Sequence, residues 1–250
     1  MDRDKLVNFI NACLKSGEIK DHSKNGLQVE GKKEVKKILF GVSVSLELIK
    51  KAVSEKADMI IVHHGLFWGK EQALTGRYKE RVKFLLENDI NLCAWHLPLD
   101  LHPEIGNNIR IIKLFNAKNI KPFGLYDGIK IGCKAELKKN LPLSAVAARL
   151  ASALGSRPVI LGFGPQKIKT LGVVSGGAQG LLQQAADEKL DLYITGEISE
   201  HNFDTARENG INFMAAGHYN TEKTGIWALQ ELLERKFKLK TVFLDTKNPI

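Results

Sequence analysis

Four of the chain's seven histidines fall where predicted strands end, positions at which metal or substrate chemistry is readily built. His63 and His64 close the run ADMIIVHH, His96 closes INLCAWH, and His218 closes INFMAAGH. In open parallel sheets, ligands bind outside the carboxyl ends of the strands. Two of these histidines have an acid close behind: HLPLD sets Asp100 four residues after His96, and GHYNTE sets Glu222 four residues after His218. On a helix, a spacing of four brings two side chains to one face. Asn220 or Thr221 is predicted to cap that helix, with His218 just outside and Glu222 in the first turn. The plainer alternative for His218 and Glu222 is a hydrogen bond at a helix start.

Adjacent residues of a regular strand face opposite ways, so His63 and His64 are expected to serve two neighbouring ions, one each. Imidazoles and carboxylates without thiolates suit Zn, Fe or Mn, and paired ions held this way are typical of hydrolases. His96 is open to several roles: ligand, hydrogen-bond partner of a ligand, or acid/base residue. Glu197, in TGE, is expected to line the same cavity. His22, His102 and His201 read as surface or supporting residues. GNN at 106–108 reads as a helix-start turn with a capping role, and SGG at 175–177 as a short turn able to approach a phosphate.

Composition narrows the class of protein. Hydrophobic residues make up 44% and charged residues 26% of the 250 residues, the balance of a soluble chain that can bury a core. Lys and Arg exceed Asp and Glu by 37 − 28 = 9, which leaves polyanionic partners open. The basic residues are scattered rather than grouped in blocks. Cys13, Cys93 and Cys133 are odd in number and far apart, neither a disulfide framework nor a thiolate zinc site. A reducing, cytoplasmic location is the expectation. No apolar run approaches the roughly 18 residues of a membrane span. The charged start MDRDK is not that of a signal peptide.

The elements that must position the histidines alternate. KKILFGVSVS, ADMIIVHH and INLCAWH read as strands separated by helices over LELIKKAVSEK and ERVKFLLEN, and the polar stretch DHSKNGLQVEG reads as a turn. The second half repeats the scheme: KTLGVVSGG, LDLYITGE and INFMAAGH as strands, with helices at GLLQQAADEK, HNFDTARENG and TEKTGIWALQELLERKF. LKTVFLD closes it. Between the halves, KIGCKAELKKNLPLSAVAARLASALGSRPVILGFG reads as strand, helix, strand. The pattern predicts parallel sheets with crossover helices. EKADMIIVHHG also lies over EKLDLYITGE, and ENDINLCAWH over ENGINFMAAGH. The two matches indicate a duplicated βαβ unit, with 1–123 and 124–250 as the two repeats. Glu197 is then the repeat counterpart of His64.

GLQVEG, IIVHHGLFW, HLPLDLHPEIGNN, TGEISEH and AAGHYNTEKTG, in that order between Asn25 and Gly225, closely resemble the type 2 GTP cyclohydrolase I homologue family, the NIF-three-like dinuclear metal proteins. The resemblance implies an α/β fold of two intertwined repeats with parallel-rich sheets and the metal site between them. It assigns the metal ligands to His63, His64, Asp100, His218 and Glu222, with Glu222 bridging two divalent ions per chain. It further implies a toroidal homohexamer, a trimer of dimers. The nominal reaction is ring opening of GTP, in which activated water attacks C8 of guanine and His96 or Glu197 moves protons. Against GTP itself, no P-loop and no Arg cluster accompanies the metal motifs. A different class of function is a basic ring that binds DNA or RNA through phosphates around a structural metal centre. The sequence shows no recognition helix, aromatic-basic stacking motif or zinc finger to support it.

Overall fold

Short β-branched runs alternate with amphipathic helices along the chain, and the structure, a computed structural model describing residues 1–70 and 72–250, builds them into two mixed sheets. Contacts divide the residues into two units. Met1–Leu99 with Ile226–Lys247 makes the first, and Asp100–Gly225 with Asn248–Ile250 the second.

The chain runs through α1 (Arg3–Leu14), β1 (Gly26–Val29), β2 (Lys37–Ser43), α2 (Leu46–Ser54), β3 (Met59–His64), α3 (Gly76–Glu87) and β4 (Asn91–Ala94). The short α4 (Leu97–Asp100) follows. Next come α5 (Asn107–Lys113), β5 (Ala117–Tyr126), β6 (Ile129–Pro142), α6 (Leu143–Leu154), β7 (Val159–Gly162) and β8 (Lys167–Val173). Then follow α7 (Leu182–Asp187), β9 (Leu192–Thr195), α8 (His201–Asn209) and β10 (Asn212–Ala215). Helix α9 (His218–Phe237) starts in the second unit and passes into the first, where β11 (Lys240–Phe243) joins the sheet. Among the described residues, no helix is long and apolar enough to cross a membrane.

In the first unit the sheet order is β1-β4-β3-β2-β11, parallel except for β1 at the edge. Its central strands are apolar without alternation because helices cover the sheet. Met59, Ile60, Ile61 and Val62 of β3 are all fully buried. Leu48, Ile49 and Ala52 of α2 and Leu85 of α3 pack on Leu39, Ile60 and Leu92. Ser45 starts α2 by accepting a hydrogen bond from Leu48 N, a helix N-cap.

The second unit holds the order β5-β6-β8-β9-β10-β7, with β8, β9 and β10 parallel and the rest antiparallel. Ile109 and Ile112 of α5 and Val146 and Leu150 of α6 cover Leu171, Ile194 and Met214. Leu182 and Ala185 of α7 and Ala206 of α8 pack with Tyr193 and Phe213.

The letters repeated between the halves have a structural content. Asp58 Oδ2 accepts from the backbone N–H groups of Lys36 and Lys37, and Asp191 Oδ2 accepts from those of Lys169 and Thr170. Asn91 accepts from Gly31 N and donates to the carbonyls of Lys32 and Asp58. Asn212 does the same with Gly164 N and the carbonyls of Pro165 and Asp191. Each unit thus joins the starts of its parallel strands with one fully satisfied, buried asparagine. The backbone approaches closely in both. A Cβ on Gly31 would lie 2.5 Å from Asp89 O, and one on Gly164 2.7 Å from Asn212 N.

The elements depart from the sequence expectation in two strands. DHSKNGLQVEG, expected as a turn, contains β1, four residues paired only with β4 and too short to show a period. Strand β5 is outside the sequence expectation, since Pro122 interrupts its run. It lies at the sheet edge, where a residue without an N–H is tolerated. The available signal was Asp127-Gly128, which joins β5 to β6 with φ of 45° and 83° at its two residues, as a type I′ hairpin requires.

Candidate metal centre

In the first unit, His63 and His64 end β3, and His64 still pairs in register with Ser43 of β2. Although successive strand residues start on opposite faces, the two imidazole centroids are 4.7 Å apart. His96, between β4 and α4, joins them: its ring is 5.0 Å from that of His63 and 5.6 Å from that of His64. One ligand atom from each of the three lies within 4.8 Å of the others.

Each ring is held at Nδ1. His63 Nδ1 donates to the Trp95 carbonyl at 2.9 Å, His64 Nδ1 meets Ser43 Oγ at 2.9 Å, and His96 Nδ1 meets Asp21 Oδ1 at 2.9 Å. A carbonyl only accepts, so His63 carries its proton on Nδ1 and offers Nε2 as the ligand atom.

Asp21 escapes a reading of the sequence, where it is one more neighbour of His22 in a polar turn. Its side chain is only 2% exposed. It accepts from Ser23 N, Asn25 Nδ2 and Leu97 N as well as facing His96. Burial alone would raise its pKa. The hydrogen bond and charge of His96 outweigh that and hold the carboxyl below the usual carboxylate range. His22 itself is exposed.

In the second unit, His218 is clamped between two carboxylates. Its Nδ1 lies 2.6 Å from Glu197 Oε1 and its Nε2 3.1 Å from Glu222 Oε1. Burial works against the charged imidazole, but the bonds and charges of Glu222 and Glu197 prevail and push its pKa up to about 9. The expected helix cap is corrected here. Helix α9 begins at His218 itself, so Asn220 and Thr221 lie inside the first turn. Gly217, with a φ of 90°, makes the sharp entry. Thr221 Oγ1 turns back to accept from Gly176 N at 3.0 Å. With both residues helical, His218 and Glu222 meet as an i, i+4 pair.

The SGG turn is pressed against this pair. A Cβ on Gly176 would sit 2.4 Å from Glu222 Oε1 and 3.2 Å from His218 Nε2. Asp100, at the end of α4, is 7% exposed, and its Oδ1 accepts from Asn107 Nδ2 at 2.8 Å and Ser175 Oγ at 3.0 Å. Asn107 also accepts from Gly225 N, and Asn108 accepts from Ser175 N while donating to the Asp100 carbonyl. Neither asparagine caps α5, whose N-cap is Gly106 with no side-chain bond. The turn expected to cap a helix instead fixes a candidate ligand. His102 Nδ1 accepts from the N–H groups of Glu104 and Ile105, and His201 is exposed.

The donor set fits divalent metal ions. The clustered groups are imidazole nitrogens and carboxylate oxygens with no thiolate among them, the preference of Zn, Fe and Mn. Anchoring the second ring nitrogen, seen at all four histidines, is what metal-binding histidines require of their surroundings. The bare backbone at Gly176 keeps side-chain atoms away from the Glu222 and His218 ligand atoms.

Two mixed α/β sheets with histidine and carboxylate clusters after their parallel strands define the class of protein. The Duf34/NIF3 (NGG1p interacting factor 3) model matches residues 1–249, and the chain belongs to that family. A relative from Pyrococcus horikoshii, named GTP cyclohydrolase 1 type 2 homolog, is 47% identical over 98% of this chain and 98% of its own length. Among solved structures, a structural-genomics structure of protein ybgI, of unknown function, superposes with a TM-score of 0.92 at 40% identity over 100% of both chains. TTHA1606 from Thermus thermophilus gives 0.89 at 38% identity, also over 100% of both.

Proposed function

We propose that the chain would hold two divalent ions through His63, His64, Asp100, His218 and Glu222 and that it hydrolyses GTP or a related nucleotide or phosphoester. The observation that carries this reading is the anchoring of Nδ1 at His63, His64, His96 and His218 by four different partners. Surface histidines need no such support, whereas ligands and proton carriers do. Bound ions of this kind supply Lewis acidity and activate water.

The chain's own groups do the remainder. Asp21 orients His96 through its Nδ1, leaving Nε2 to accept a proton and return it to the leaving group. Glu197 acts through His218 by holding its ring. Asn107 and Ser175 fix the Asp100 carboxylate. Repeats at 1–123 and 124–250 and a cytoplasmic location belong to the same reading, the first supported by the matched Asn91 and Asn212 networks. Turnover of GTP and other nucleotides by the metal-loaded protein tests it. Activity that disappears in His64→Ala and Glu222→Ala supports a hydrolase, and activity that persists in both refutes it.

A second reading rests on the net charge of +9 per chain. In a homohexamer built as a trimer of dimers, that charge would accumulate and favour DNA or RNA through phosphates, the metal being structural. Affinity that falls steeply with salt and ignores His64→Ala supports it. Salt-independent or absent binding removes it.

A further inference from the structure

We propose that Asn25 is a positioning residue shared by two histidines of the first unit: with one amide it fixes the ring of His63 and the ring of His96. The proposal rests on the reading above only in taking His63 as a metal ligand, and no hydrolytic step enters it.

Asn25 immediately precedes β1, and the antiparallel register that pairs Gly26 with Ala94 brings it beside the chain leaving β4. The two ends of its amide face different partners. Oδ1 accepts from His96 N at 2.8 Å. Nδ2 donates to Asp21 Oδ2 at 3.0 Å and, at 3.4 Å, to the Ser23 carbonyl. A backbone N–H only donates and a carboxylate only accepts, so the neighbours define which end is oxygen.

The oxygen end acts on His63. In a planar trans peptide the N–H and the C=O point in opposite directions, so aiming one aims the other. The peptide joining Trp95 to His96 has its N–H held by Asn25 and its carbonyl directed at His63 Nδ1, 2.9 Å away. Trp95 N donates in turn to the Val62 carbonyl, which keeps this stretch against the end of β3. His63 is fully buried, and a metal-binding histidine depends on the group at its second nitrogen for its orientation.

The nitrogen end acts on His96. Asp21 presents Oδ1 to His96 Nδ1 and Oδ2 to Asn25, so the amide keeps that carboxylate from rotating away from the ring. An aspartate at position 25 would have the same shape and the same acceptor but no donor for Asp21. That difference separates the two arms.

The test is the 15N spectrum of the histidine side chains in metal-free protein, where protonated and bare ring nitrogens give separate signals, with cobalt(II) affinity measured on the same variants. His63→Gln and His96→Gln assign the signals. Asn25→Ala is expected to shift the ring signals of both His63 and His96 and to weaken cobalt(II) about 10- to 100-fold, the scale of a lost partner behind a metal ligand. Asn25→Asp should leave His63 and the cobalt affinity near wild type while shifting His96. Asn91→Ala is the control. It removes a buried amide of the same sheet at the opposite ends of the strands, so it should lower stability and leave both rings in place.

Rings unmoved in Asn25→Ala, or moved as far by Asn91→Ala, overturn the proposal. If Asn25→Ala does not fold, Asn25→Asp decides alone: His96 shifted with His63 in place supports the two arms, and both shifted or both unmoved overturns them. The two readings fail separately. A wild type that takes up no cobalt removes the metal centre while the ring signals still decide the positioning, and unmoved rings in a cobalt-binding protein remove the positioning alone.

Discussion

Glu197 Oε1 lies 2.6 Å from His218 Nδ1, on the side of the ring away from the Nε2 that faces Glu222. A carboxylate there fixes the ring and raises the basicity of Nε2 without itself being a ligand. Glu197→Ala should therefore weaken metal binding about 10- to 100-fold while leaving the fold intact. Glu197→Gln, which can still accept through its carbonyl, should fall between. Metal affinity by competition with a chelating dye, beside circular dichroism, checks both, and an unchanged affinity in the alanine variant would remove Glu197 from the site.

The same clamp predicts a pH dependence in the metal-free protein. The folded pKa of His218, about 9, lies above the ordinary value of 6.5. A raised pKa means that the protonated form is favoured by folding, so the contribution is complete below 6.5 and fades as pH rises through about 9. Wild-type protein stripped with chelator should exceed His218→Asn in Tm by more at pH 6 than at pH 10. An equal difference at the two pH values would contradict the assignment. At neutral pH, loading the metal should also release a proton from His218, measurable as buffer-dependent heat.

His96 separates from the ligands in a different experiment. If it carries a proton rather than a metal, His96→Gln should retain metal and lose turnover. Asp21→Asn should do the same more weakly, since an amide can still orient the ring through its oxygen. Metal lost from His96→Gln to the extent seen in His64→Ala would make His96 a ligand.

Much of the fold was legible because the parallel strands are short, buried and β-branched, as in MIIV of β3 and LYIT of β9. Edge strands β1 and β5 were not, since edge pairing leaves no apolar period and tolerates Pro122. At the candidate site, the histidines announced themselves by ending strands. Their anchors did not. Asp21 is 75 residues from His96, and Ser175 is 75 residues from Asp100. Local spacing carries no trace of such pairs. The roles of the Asn107 and Asn108 side chains are hidden for a related reason: a helix-start position looks like a cap until the fold supplies Asp100 and Ser175 as partners.

The asparagine networks carry a stability prediction. Asn91 and Asn212 each satisfy one N–H and two carbonyls in a buried setting. Replacing either by Ala should cost about 2–4 kcal/mol, at roughly 1 kcal/mol per lost bond plus the desolvated backbone groups left behind. Urea denaturation measures this, and a loss below about 0.5 kcal/mol, the scale of an ordinary surface change, would show that the networks are incidental.

The most direct test of the central claim is elemental analysis of protein purified without added metal, alongside His64→Ala and Glu222→Ala. A dinuclear centre predicts about two divalent ions per wild-type chain, with a marked loss in both variants. A folded wild type that remains metal-free after divalent ions are offered would contradict it.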